Sequence, residues 1–291
     1  MRPAGHRTDR SGMGIGPYGG TESCAKRMSP APLNDEQVAA FHRDGYLFVE
    51  DHFSPQDMER LLRVARVDQE LAAGATDRFD TEGRVSRLSL RYNLEGEDSY
   101  RAYARHERIV EPLEQLLGSD IYHYHHKMMM KEPHTGGAWE WHQDYGYWYG
   151  AFLREQMGSC MIAVDRASRA NGCLEVLRGS HRFGRLDHGK RGDQTGTDPE
   201  RMQVLEDRLE LVYCEMAPGT VLFFHSNTLH RSAPNTSAES RWALICCYTA
   251  VDNTPFIDGA AGDFSPFDRW DDERVRVAVQ AHEERLALAP D

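Results

Sequence analysis

His142 and Asp144 stand two residues apart in Trp141-His142-Gln143-Asp144-Tyr145. In an extended segment that spacing turns both side chains to one face. Two histidines with one carboxylate are the ligand set of non-haem Fe(II) oxygenases, which keep positions open for cosubstrate and O2. A single strand cannot wrap a metal, so the missing histidine must come from a distant part of the chain. His230, in Phe224-His225-Ser226-Asn227-Thr228-Leu229-His230-Arg231-Ser232, is the candidate. Eleven residues further on, Arg241 opens the apolar run from Trp242 to Tyr248. A guanidinium entering a buried strand needs an anionic partner, and its fork suits a carboxylate.

The elements that must position these residues fall into two textures. Residues 34–118 read as helical support with one or two strands. Asn34 and Gln37 mark a capped helix start, and Ser54-Pro55 marks a second. From Ile121 the chain turns to strands. Along Ile121 to Lys131, alternation puts His125, Lys127, Met129 and Lys131 on one face and His126, Met128 and Met130 on the other. Turns at Asn171-Gly172 and Pro218-Gly219 separate further strands, the last running from Arg241 to Ala250. Many strands with tight turns predict a mainly β fold with flanking helices, a double-stranded β-helix of the jelly-roll, cupin-like kind spanning 121–250. The charged stretch 182–208 is expected as a lid loop and 270–288 as a closing helix. After a loose tail at 1–30, residues 31–291 read as a single domain.

The chain has 291 residues and a net charge of −12. Its Arg-rich pieces are matched by nearby acids, so it lacks the basic face of a nucleic-acid binder. No apolar run approaches the roughly 18–20 residues of a membrane span. The amino terminus lacks the apolar core of a secretory signal. Six cysteines without a Cys-x-x-Cys pair sit mostly in apolar runs. They read as reduced, buried thiols of a cytoplasmic protein. The expected partner is a small-molecule substrate, with the chain a monomer or a homodimer.

The set His142-Gln143-Asp144, Asn171-Gly172-Cys173-Leu174, Gly179-Ser180-His181, Pro218-Gly219, His230 and Arg241, in this order, resembles the phytanoyl-CoA dioxygenase family. That family of Fe(II)/2-oxoglutarate-dependent oxygenases also holds ectoine hydroxylase, and the likeness runs from about Leu33 to about Asn253. The resemblance implies that His142, Asp144 and His230 bind Fe(II). It implies that Arg241 pairs with the far carboxylate of 2-oxoglutarate, that Ser232 hydrogen-bonds the same group, and that O2 takes the last metal position. Lys127 occupies a position that contributes to the cosubstrate pocket in relatives. His125 falls where ectoine hydroxylase has a cosubstrate-binding glutamine, and the choice between the two stays open. Met161 stands where some relatives place a tryptophan. In related halogenases the carboxylate ligand is replaced by a small residue, so Asp144 implies hydroxylation or a related C–H oxidation.

The substrate side is less specified. Tyr145, Tyr147, Trp148 and Tyr149 surround Gly146 directly after the metal motif. They are candidates to enclose an apolar or ring-bearing substrate, with packing of the mouth loops as the plain alternative. His134 could line the mouth, and Arg182 in the lid could meet an anionic group. The leading reading is hydroxylation of a small molecule in secondary or amino-acid-derived metabolism, with succinate and CO2 released. Desaturation, epimerisation or cyclisation are alternative outcomes of the same chemistry. A divalent-metal hydrolase or isomerase and a non-enzymatic binding protein are the other classes.

Overall fold

The computed structural model describes residues 33–288. The tail expected at 1–30 lies outside the described residues. A seven-stranded antiparallel sheet is the centre of the fold. Its order is β1 (Tyr46–Val49), β11 (Val221–His225), β6 (Met157–Ala163), β13 (Arg241–Ala250), β4 (Ile121–Lys131), β3 (Val85–Arg91) and β2 (Ala75–Phe79). A four-stranded sheet faces it, ordered β10 (Leu211–Cys214), β7 (Leu174–Leu177), β12 (His230–Ser232) and β5 (Trp139–His142). A separate hairpin pairs β8 (His188–Arg191) with β9 (Gln194–Thr197).

Alternation along β4 and β13 divides the core into two layers. Met128, Met130, Leu244 and Cys246 pack with Met58, Leu61, Ile109 and Leu113 of the helices. Met129, Met161, Ala243 and Ile245 pack with Leu174 and Val176 of the facing sheet. The helical layer comprises α1 (Asp35–Asp44), α2 (Pro55–Val67), α3 (Gln69–Ala73), α4 (Ser99–Ala104), α5 (Glu107–Leu117) and α8 (Asp272–Leu288). Asn34 and Gln37 form the reciprocal cap at α1, with Gln37 N donating to Asn34 Oδ1 at 2.9 Å. Such a cap contributes about 1 kcal/mol.

The jelly-roll expectation is corrected by this topology. Among the described residues the three sheets are open, and no ladder joins one to another. On the side of β3 and β5 the sheets meet only through an isolated bridge between Val85 and Gly136 and through side chains such as Asp80, which accepts from Ala138 N. Tight turns make consecutive strands antiparallel neighbours, but closure depends on tilt and stagger accumulated around a whole barrel. Turn residues carry no record of that sum.

The stretch expected as a lid loop is ordered chain. It folds as the β8–β9 hairpin followed by α7 (Pro199–Glu206). The hairpin docks on β5 through side chains. Gln194 accepts from Glu140 N at 3.0 Å and donates to Ala138 O at 2.9 Å, and Thr197 Oγ1 donates to Trp141 O. α8 buries Val275 and Val279, whereas Val277 faces outward.

Candidate active site

β12 lies between β7 and β5, with His230 opposite His142 in the register of β12 and β5. His142 ends β5, Gln143 stays extended (φ −111, ψ 138), and Asp144 opens the one-turn helix α6 (Asp144–Trp148). The single extended residue returns the carboxylate to the side of the imidazole. Ligand atoms of His142, Asp144 and His230 all lie within 4.8 Å of one another, and all three residues are buried. His230 Nε2 is 3.9 Å from Asp144 Oδ1.

The histidines are aimed by the backbone. His142 Nδ1 bonds Glu140 O at 2.7 Å, and His230 Nδ1 bonds Thr228 O at 2.9 Å. A carbonyl only accepts, so each Nδ1 carries the proton and each Nε2 keeps its lone pair for a metal. Burial, helped by the neighbouring His230, pushes His142 well below its ordinary pKa. Burial also lowers His230, with Asp144 opposing. Ser159 Oγ donates to Asp144 Oδ2 at 2.8 Å, so the carboxylate is held through one oxygen while the other faces the histidines. Two neutral imidazoles and one anionic oxygen, dry and converging, fit Fe(II).

Gln143, which the sequence reading passed over, is the brace behind the motif. Its side chain is fully buried. It donates to Gly184 O (2.7 Å) and Asn227 O (2.9 Å) and accepts from Leu186 N (2.7 Å). That ties the hairpin approach and the β11–β12 turn to the metal motif. Gly146 admits the ring of His188, which a Cβ there would meet at 2.2 Å. His188 Nε2 accepts from Gln143 N at 3.0 Å.

A cavity of about 290 Å³ opens between the two large sheets, and the three ligands line it. Arg241, Ser232, Lys127, His125 and Met161 line it as well. Arg241 is 3% exposed and has no acidic partner within 4.0 Å among the described residues. Its Nε is buried without a hydrogen bond. Burial lowers its pKa to about 10, against the pull of Cys173 and Asp165. A buried charge left unpaired costs several kcal/mol, so this end of the cavity is built for an anion. Lys131 is opposite Arg241 in the β4–β13 register, and burial together with the Arg241 charge pushes its pKa well below the ordinary value. Its Nζ donates to Ser232 Oγ (2.9 Å) and Ala233 O (2.5 Å), which leaves the Ser232 O–H free to donate. The alternation of β4 had placed Lys131 on this face, yet its role was missed. Trp139 also lines the cavity, with an unpartnered buried indole N–H.

The aromatic cluster after the motif divides by helical geometry. In α6, Tyr147 and Trp148 follow Asp144 by three and four residues and line the cavity with it. Tyr145 and Tyr149 share a different side, with ring centroids 5.8 Å apart. Tyr145 is core and donates to Phe152 O, and Tyr149 is exposed under the Arg185 guanidinium. His134 and Arg182 are exposed and do not line the cavity. His225 turns away, its Nδ1 accepting from Asn227 N.

Residues 41–243 match the family model described as phytanoyl-CoA dioxygenase (PhyH). The chain is 30% identical to an L-proline trans-4-hydroxylase of Streptomyces griseoviridis, over 77% of this chain and 89% of that protein. It is 29% identical to an ectoine dioxygenase of Sphingopyxis alaskensis, over 77% of this chain and 78% of that protein. The crystal structure of EctD from S. alaskensis with 2-oxoglutarate and 5-hydroxyectoine aligns with a TM-score of 0.65 at 25% identity, covering 82% of this chain and 83% of that one. The carbocyclase SnoK from nogalamycin biosynthesis shares the fold, with a TM-score of 0.66 at 21% identity over 83% of this chain and 95% of that one. With the family match enclosing both histidines, Asp144 and Arg241, the chain belongs to the phytanoyl-CoA dioxygenase family and is an Fe(II)- and 2-oxoglutarate-dependent oxygenase acting on a small molecule.

Proposed function

We propose that His142, Asp144 and His230 hold Fe(II), and that Arg241 with Ser232 takes the far carboxylate of 2-oxoglutarate. The observation that carries this is the unpaired guanidinium of Arg241, buried in the cavity that the three ligands line. Lys131 fixes Ser232 through its Nζ. Lys127 is a further cosubstrate residue. It lies four positions from Lys131 along β4, between the Arg241 end and the Asp144 level, where Ser159 pairs with Cys247. His125 lies two positions beyond Lys127, about 7 Å further from Arg241, and faces the substrate side. Bound Fe(II), with 2-oxoglutarate and O2, supplies the oxidant that hydroxylates a C–H bond while succinate and CO2 are released. The protein orients the ligands, keeps the imidazoles neutral and excludes water by burial.

The substrate is compact. The cavity, at about 290 Å³, falls just below the range of about 300–1,000 Å³ usual for ligand sites, and it must hold the cosubstrate too. A hydroxylation outcome is favoured by the proline hydroxylase among the relatives at about 30% identity. No described helix is long and apolar enough to cross a membrane. The five described cysteines are free and buried, which suits a reducing cytoplasm. The protein acts as a monomer or homodimer.

The test is an anaerobic titration with Fe(II) and 2-oxoglutarate followed by turnover in O2. Succinate should form in step with product, and turnover should vanish without 2-oxoglutarate. Turnover under strict exclusion of 2-oxo acids would instead identify a metal-dependent hydrolase or isomerase.

A further inference from the structure

The cavity has two halves, and strand register assigns residues to each. Lys131 stands opposite Arg241, and Ser86 is level with Lys131 because its neighbour Arg87 pairs with Met130. Arg78 pairs with Ser86, so this exposed arginine belongs to the Arg241 half. His125 lies six positions along β4 from Lys131, roughly 20 Å away. It pairs with Cys247, which pairs with Ser159, whose hydroxyl holds Asp144. His125 is therefore level with the metal ligands, at the opposite end from both arginines.

The His125 half has no charge to spare. Among the described residues, the charged side chains lining the cavity are Arg78, Lys127, Asp144 and Arg241, besides the histidines. Arg78 stands at the far end. Asp144 holds the metal, and Lys127 and Arg241 serve the cosubstrate, in the reading above on which this inference rests. What remains around His125 is aromatic. Tyr92, Tyr124 and Trp148 surround its ring at centroid distances of 5.8, 4.7 and 5.7 Å. The imidazole is 4% exposed, its Nδ1 is sealed in the wall without a partner, and Nε2 is the atom left to the cavity. Burial, with Lys127 adding to it, holds the ring well below its ordinary pKa, so it is neutral. A charged group brought against such a wall would lose its hydration and find no counter-charge. An uncharged hydroxyl or carbonyl would give the imidazole the hydrogen bond it lacks.

We infer that the substrate is a compact, uncharged ring compound whose hydroxyl or carbonyl group hydrogen-bonds Nε2 of His125 while its ring lies against Tyr124 and Trp148. His125 is thus the residue that selects for a neutral polar group. Trp148 follows Asp144 by four residues in α6, so a ring held on it lies beside the metal ligands.

The probes are cyclohexanol, cyclohexanone and benzyl alcohol, each set against the carboxylate and the ammonium ion of the same ring. They are titrated anaerobically into the Fe(II)- and 2-oxoglutarate-loaded protein, with binding read as a change in tryptophan emission, since Trp148 and Trp139 line the cavity. At least one neutral probe should bind roughly tenfold more tightly than both of its charged counterparts. His125→Leu should weaken that probe about tenfold, the size of one buried hydrogen bond, and His125→Gln, a neutral hydrogen-bonding side chain, should restore most of the loss. A histidine that only fills space would be replaced by leucine with no loss of the neutral probe. No neutral probe binding more tightly than its charged counterparts, or a His125→Leu protein with wild-type affinity for the neutral probe, overturns the inference. A preceding 2-oxoglutarate titration separates the two readings. If 2-oxoglutarate binds and the preference is absent, only the substrate class fails. If 2-oxoglutarate does not bind, the cosubstrate assignment fails and the inference falls with it.

Discussion

The molecule buries two pairs of neighbouring histidines and uses them differently. His142 and His230 face each other across β5 and β12 with ring centroids 4.1 Å apart. His123 and His126 lie on the helical side of β4 with centroids 5.1 Å apart. In the first pair each Nδ1 is bound by a backbone carbonyl, so both Nε2 atoms are left for a third party, and Asp144 supplies the anion. In the second pair the rings bond each other, Nε2 of His123 to Nδ1 of His126 at 3.0 Å, and among the described residues no carboxylate lies near enough to complete a metal group. Residue type and burial are alike in the two pairs. Orientation by the backbone, and the identity of the third group, separate a site from a core.

Breaking the first pair should have the largest effect. His142→Ala, His230→Ala or Asp144→Ala should each weaken Fe(II) binding more than about 100-fold, since even an outer partner of a ligand is worth 10- to 100-fold. Isothermal titration with Fe(II) checks this, and His123→Phe with His126→Leu should bind Fe(II) as the wild type does. Next comes the anion end. Arg241→Ala should raise the 2-oxoglutarate requirement about 100-fold, as removal of one member of a buried charge pair does. Succinate formation against 2-oxoglutarate concentration measures it, and Arg241→Lys should recover part of the loss.

A smaller effect tests whether the carboxylate is oriented as the imidazoles are. Ser159→Ala removes the bond to Asp144 Oδ2, and Fe(II) affinity should fall about tenfold. The smallest expected effect belongs to the second pair. Burial pushes His123 and His126 well below 6.5, and the nearby Arg101 and Arg105 push the same way. In the unfolded chain both take up protons near pH 6.5. Their contribution to stability is therefore whole above about pH 6.5 and is lost as pH falls below it. Thermal unfolding from pH 7.5 to 5 should show a falling Tm, with a shallower slope in His123→Phe/His126→Leu. Equal slopes would mean that other buried histidines, such as His225 with its pKa of about 4, dominate.

Both pairs also show how far the sequence could be read. Strict alternation along β4 separates Lys127 and Met129 from His126, Met128 and Met130, and the two core layers follow that division. The same rule would put His123 on the face of His125. It fails because β4 carries an extra residue at Tyr124, where Cys247 pairs with His125 but Tyr248 pairs with His123. Beyond that bulge the faces exchange. Tyr124 joins His125 at the cavity, and His123 joins His126 among the helices. The aromatic cluster was ambiguous for a related reason. Four rings around a glycine do not announce a helical turn, and only α6 sends Tyr147 and Trp148 inward while Tyr145 and Tyr149 go elsewhere.

By itself the sequence determined what depends on near neighbours and on residue chemistry. These are the capped start at Asn34, the long strands from Ile121 and from Arg241, and a histidine, an aspartate and a distant histidine suited to one metal. Tertiary structure alone decided what depends on sums over many contacts. The sheets stay open, Gln143 braces two loops against the motif, and Lys131 leans on Ser232 beside Arg241. Local patterns set which side chains share a face. Which faces meet, and which charges are left without partners when they do, is fixed only by long-range packing.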